Sequence, residues 1–256
     1  MNYLKFFFLF LFPIFTFGQQ EVNQSHYEVE YKTIVNDTTD IESYHYAMNF
    51  KLYSDGKESY YKLVSYIDTT LYDSQRNPIS FEAKTLNYIS MYKSIENQSA
   101  IYGTAVEFKK SALVTDFPKF EYKKGAKKKK ILGHDCSQLF LQFRGRNYEI
   151  YYANDLKIND GPFKFMNAPG LILEVMDFGQ SVHIIATQIE KVNQKLLIPE
   201  IPNRWKNRMK LTYKEFILRK DKWRTDLKAK VSAEDPNSSV DIPYRNIEIL
   251  IPAHIE

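Results

Sequence analysis

The chain has 256 residues, with 35 Lys and Arg against 31 Asp and Glu, a formal charge of +4. So small an excess gives no ground for expecting a nucleic-acid partner. The only cysteine, Cys136, excludes an intramolecular disulfide, so stability must come from packing.

Met1 to Gly18 has the three parts of a signal peptide: Lys5 as the charged n-region, the apolar run Phe6 to Phe17, and the small Gly18 before the cleavage point. The run is interrupted by Pro13 and is shorter than the roughly 20 residues that span a bilayer. The expectation is export, to the periplasm, the outer membrane or the exterior, with residues 19–256 as one β-rich domain.

The mature chain opens on period-two patterns. Ser25 to Ile34 places Tyr27, Val29, Tyr31 and Thr33 on one face, and Ser43 to Tyr53 alternates in the same way, so both predict half-buried strands. Asp55-Gly56 predicts a type I′ hairpin turn into a partner strand over Glu58 to Ile67. Asn36 to Glu42 reads as a connection and Asn77-Pro78 as a turn. Tyr88 to Tyr92, Ala100 to Phe108 and Ser111 to Phe117 predict further strands, which Lys119 to Tyr122 would continue.

The lysines of Lys123 to Lys130 read either as an anionic docking patch or as a solvated hairpin loop that discourages edge pairing. Ser137 to Phe143 and Tyr148 to Tyr152 predict a hairpin turned at Arg144-Gly145-Arg146-Asn147. Gly161-Pro162 then starts a short strand in which Phe163 and Phe165 share a face. Pro169-Gly170 suits a type II turn into Leu171 to Val175, and Ser181 to Lys191 forms a further strand. Thr212-Tyr213-Lys214-Glu215 has capping-box spacing and predicts an amphipathic helix over about 213–231. Arg245 to Ile251 reads as a last strand. The fold class is therefore mainly β: a long antiparallel meander forming a curved sheet or half-barrel, with one C-terminal helix.

Chemical motifs are scarce. The five histidines show no metal-ligand spacing, and there is no nucleophile elbow or phosphate-binding loop. No cofactor, metal or catalytic residue is expected. Arg144 and Arg146, two apart, could grip one carboxylate or phosphate, or could each pair with an acid on a neighbouring strand. The aromatics Tyr46, Phe50, Tyr151, Phe163 and Phe165 either line an apolar concavity under the helix or fill a closed core.

The residues Ile131, Gly133 and Cys136, then Phe143 to Arg146, Tyr148 to Tyr152, Gly161 to Phe165 and Asn167 to Ile172 resemble the GLPGLI family, exported proteins of Bacteroidota-type bacteria. Asn167 stands where that motif has Gly, and Ala168 where it has Leu. Asn tolerates left-handed φ, whereas Ala168 removes a large apolar contact and would enlarge any pocket there. The resemblance implies a β-rich exported protein and names no reaction. The main functional expectation is a non-enzymatic carrier or binder of a lipid or other amphipathic ligand, with Arg144, Arg146, Phe163, Phe165 and Ala168 as binding residues. The alternatives are an accessory partner of an outer-membrane complex and a hydrolase of unrecognised type.

Overall fold

The structure is a computed structural model that describes residues 26–37, 44–68, 70–72, 78–80, 90–107, 109–193, 198–238 and 247–255. The expected leader at 1–18 and most of the connection at 36–42 lie outside them.

The strands are β1 (His26–Asp37), β2 (Tyr44–Ser54), β3 (Glu58–Asp68), the short β4 (Thr70–Tyr72) and β5 (Pro78–Ser80), β6 (Met91–Ser94), β7 (Ser99–Glu107) and β8 (Lys110–Asp116). They continue as β9 (Lys123–Ile131), β10 (His134–Phe143), β11 (Arg146–Ala153), β12 (Ile172–Asp177), β13 (Val182–Val192) and β14 (Met209–Thr212). The helices are α1 (Asn203–Lys206) and α2 (Tyr213–Glu234). All the strands join one curved, unclosed sheet in the order β14-β8-β7-β6-β3-β2-β1-β13-β12-β11-β10-β9, with β4 and β5 branching from β2. The pair β14–β8 is parallel and the other described pairs are antiparallel.

The period-two patterns act as expected. Val29, Tyr31 and Thr33 of β1 are buried while Glu28, Glu30 and Lys32 lie half-buried on the opposite face. That second face carries ion pairs such as Lys51–Glu28 at 2.7 Å. The core fills the first face, and much of it comes from the chain between β11 and β12. There Phe165, Met166, Ala168 and Leu171 are fully buried. Tyr31 Oη donates to Ile172 O at 2.7 Å, and Tyr122 Oη to Met166 O at 2.7 Å, so this segment is tied to strands far apart in the sheet.

Several local expectations are corrected. Residues 161–165 form no strand: the Phe165 amide donates to Pro162 O at 3.1 Å, closing a tight turn with Phe163 at φ +52°. The Pro169-Gly170 turn is not type II, because Gly170 does not take positive φ. Gly170 is needed for space instead, since a Cβ there would collide with Ala153 O. Asn167, the substitute for Gly, is the residue that takes left-handed φ, +63°.

The basic run is not a loop. It is β9, at the sheet's edge, turned into β10 by Leu132-Gly133, both at positive φ. Lysines on an edge strand oppose further pairing, so the part of the expectation that concerned edges applies to the strand itself. At Asp55-Gly56 only Gly56 has positive φ, which rules out type I′. Residues 119–122 are extended without pairing, and the described tail at 247–251 holds a single bridge, at Ile249, rather than a strand.

Helix α2 starts where its capping box says. Glu215 N donates to Thr212 Oγ1 at 3.3 Å, and Thr212 N to Glu215 Oε2 at 2.8 Å. Its buried residues are Tyr213, Phe216, Ile217 and Arg224, so it packs chiefly through its first turns.

Candidate functional site

The segment 154–171 is anchored by two buried sets of charge. Lys93 of β6 donates to Asp160 at 2.5 Å and to Gly161 O at 2.6 Å. Burial lowers the Lys93 pKa, and the Asp160 carboxylate opposes that shift. Beyond the Phe163 turn, Lys164 meets Asp116 at 2.8 Å and Glu248 at 2.6 Å. Arg144 binds the same two acids, at 2.6 Å each, and its guanidinium lies 3.4 Å from the Tyr213 ring centroid. Two cations and two anions thus close on one another beneath the start of α2. Burial pushes the Asp116 carboxyl upward, but Lys164 and Arg144 together outweigh it and hold the group below the ordinary carboxylate range.

The structure therefore brings Arg144 and Lys164 together with Asp116 and Glu248. Arg146 goes elsewhere: its partner is Asp177 at the end of β12, at 2.8 Å. Among the described acids the two arginines share none: Arg146 pairs with Asp177 on the neighbouring strand, as the second sequence reading held, whereas the partners of Arg144, Asp116 and Glu248, lie on no neighbouring strand. Phe165 and Ala168 are fully buried, and Phe163 is half-buried with its ring centroid 6.2 Å from that of Phe165. Phe50 and Tyr151 are buried too, and Phe50 stacks on Tyr61 at 4.8 Å. Tyr46 lies outside the described side chains.

Cys136 is fully buried, and burial pushes its thiol up to about 11. It is a poor nucleophile even though His134, two residues earlier, pairs with Asp155 at 2.7 Å.

An open groove lies on the other face, at the end of β10 and β11. It is a groove of about 640 Å³ lined by Lys119, Glu121, Lys123, Phe140, Gln142, Asn147 and Phe178, with Leu141 and Tyr148 at its base. Its walls follow from alternation. Phe120 packs 5.0 Å from Phe143 and Tyr122 is bonded to Met166, so Lys119, Glu121 and Lys123 are left on the solvent side.

On β10, Leu139, Leu141 and Phe143 are buried, which puts Phe140 and Gln142 on the groove face. The opposite wall is the turn after β12. Phe178 N donates to Asn147 O at 2.9 Å, and its ring, 61% exposed, meets Phe140 edge-on at 5.9 Å and 85°. Arg146 supports this wall, because Asp177 accepts from it and from Val182 N at 2.7 Å. The groove thus joins exposed Phe178 and half-buried Phe140 to two side-chain amides and three exposed charges. Apart from Lys123, the first residue of the basic run, sequence reasoning assigned these residues no role, although the alternation of 119–123 and 138–142 contains the signal.

The profile of the family described as "N-glycanase peptide, N-terminal domain" matches residues 64–215, more than half of the chain. The chain belongs to this N-glycanase N-terminal domain family. Two solved structures of PNGF-II, in space groups C2 and P21, are also similar. They share 16% and 18% identity, with 78% and 77% of this chain covered and TM-scores of 0.47 and 0.48. The chain spans about a third of the length of those structures, 33% and 34%. No curated protein matches it.

Membership in the N-glycanase N-terminal domain family corrects the resemblance to GLPGLI proteins, for which nothing was found. The physical reason is that the shared Gly and Pro residues answer to local backbone demands. Gly161 and Gly170 sit where a Cβ would strike Ile172 or Ala153 O, a requirement of tight packing rather than of one family. The carrier expectation is corrected as well. The family is one of N-glycanase domains, and of the aromatics expected to line an apolar concavity Phe50, Tyr151 and Phe165 fill the core, with half-buried Phe163 packed against it. The hydrolase alternative lies nearer. Export is retained. Among the described residues no helix is long and apolar enough to cross a membrane.

Proposed function

We propose that this chain takes part in N-glycanase-type removal of N-linked glycans, and that the groove beside Phe178 is where it meets the sugar. The observation that carries the reading is the family match over 64–215, which includes every groove residue from Lys119 to Phe178. The chemistry agrees. A sugar ring has an apolar C–H face, which suits an exposed aromatic, and a rim of hydroxyls, which suits the amides of Gln142 and Asn147 and the charges of Lys119 and Glu121. The volume falls within the roughly 300–1,000 Å³ of small-ligand sites. The lining has one carboxylate, Glu121, so we assign the groove to recognition. We place the protein outside the cytoplasm, in the periplasm or beyond the outer membrane, where glycoproteins are met.

The test uses a fluorescent N-glycopeptide and the same peptide without glycan, with binding read by polarisation and release by mass spectrometry. The glycopeptide should bind the chain more tightly. Phe178→Ala should weaken it roughly tenfold, about 1.4 kcal/mol. Release of the glycan by the chain alone would place the hydrolysis within it, and binding without release would give it the recognition role. Equal binding of the two peptides, without release, would sink the proposal.

A further inference from the structure

Resting on that reading, we infer that the groove prefers glycans bearing a carboxylate, of the sialic-acid class, and that the lysines leading into β9 select it. The observations are of charge and register. Two of the three charged residues lining the groove are cations, Lys119 and Lys123, and both are exposed. Neither has an acidic partner among the described residues. Lys123 lies opposite Phe140 in the β9–β10 register and so flanks the aromatic floor.

The positive charge continues from there along the edge. Lys124, opposite buried Leu139, and Lys128, opposite Ser137, turn to the other face, so the groove's side of the edge is continued by Lys127. Lys127 is 71% exposed and only loosely paired with Glu149 at 3.7 Å. The backbone holds this row in place. Gly125 leaves room for the Gln138 side chain, whose Oε1 accepts from Lys127 N at 3.0 Å and whose Nε2 donates to Glu149 at 2.6 Å.

A neutral glycan would leave the row without a counter-charge. A carboxylate at the outer end of a glycan seated on Phe140 and Phe178 would meet Lys119 and Lys123, which break no ion pair within the described residues to receive it. Lysine is a point charge on a flexible stem and asks for no fixed geometry, which suits a terminal sugar that moves. A patch of one sign beside a groove also raises the encounter rate of an opposite charge, an effect that salt removes.

The experiment compares three probes at low and physiological salt: a sialylated N-glycopeptide, the same peptide after desialylation, and an acidic peptide without glycan. Each is measured with the wild-type chain and with Lys119→Gln/Lys123→Gln, whose altered side chains are exposed. The sialylated probe should bind roughly fivefold more tightly than the desialylated one. The advantage should shrink with salt and disappear in the double variant. Equal binding of the two glycopeptides overturns the inference and leaves the glycan reading standing. Failure of both to bind overturns both. Binding of the acidic peptide as tightly as the sialylated probe reassigns the lysines to peptide recognition and overturns it as well.

Discussion

Glu248→Gln should be among the most damaging single changes available in the described chain, although it alters one atom of one side chain. Glu248 accepts from Arg144 at 2.6 Å and from Lys164 at 2.6 Å, and all three side chains are at most 4% exposed. In the variant two buried cations face Asp116 alone, and a neutral amide oxygen replaces a carboxylate that served both. Removing one partner of a buried ionic cluster costs about 3–5 kcal/mol, because the charge left behind is desolvated without compensation. The amide can still accept one bond, so the low end, about 3 kcal/mol, is expected. For a chain of this size that lowers Tm by roughly 6–12 °C.

Thermal and urea unfolding at neutral pH, followed by circular dichroism, measure it. Asp226→Asn is the control, since it breaks the Lys222–Asp226 pair on α2, whose side chains are 76% and 60% exposed. Its effect should stay within about 0.5 kcal/mol. Lys164→Met/Glu248→Gln, which restores neutrality, should lose at least 1 kcal/mol less than the sum of the single changes. A loss below 1 kcal/mol for Glu248→Gln, or strict additivity in the double variant, would refute the reasoning. The cluster also sets an acid limit. The Asp116 carboxyl is held below its ordinary value, so its contribution is complete above the unfolded pKa of about 3.9 and is lost as pH falls through the folded value.

Glycine positions supply a second test. Gly170→Ala drives a Cβ into Ala153 O, which is backbone and cannot swing aside, so about 2–3 kcal/mol should be lost. Gly133→Ala meets nothing within 4 Å and should cost only its positive φ of +86°, about 1 kcal/mol; equal losses would refute the packing account. Cys136, buried and with its thiol raised to about 11, should resist iodoacetamide at pH 8 in the native chain and react once urea unfolds it. Rapid native labelling seen by mass spectrometry would contradict the burial.

Strands and the capped helix were legible because their causes are local. Alternation of β1 through Tyr27, Val29 and Tyr31 depends only on the pleat, and the Thr212–Glu215 box needs four residues. The groove was less legible. Its walls, residues 119–123 and the Phe178 turn, are some 55 positions apart in sequence and share no period. The Arg144 cluster was out of reach for the same reason, since Asp116 and Glu248 lie 28 and 104 residues from it. The carrier reading failed at this point, because a row of aromatics in sequence does not say which side of a curved sheet the intervening segment will fill.

By itself the sequence determined the β-rich class, the main hairpins, the single long helix and the lysine-laden character of 123–130. Backbone sterics and side-chain period act over a few residues, and they suffice for these. Only the tertiary structure decided that those lysines form an edge strand, that 154–171 fills the core, and that Phe140 and exposed Phe178 meet on the opposite face beside exposed charge. Burial of a polar or aromatic group depends on what arrives from distant strands, and no short stretch of the chain contains that information.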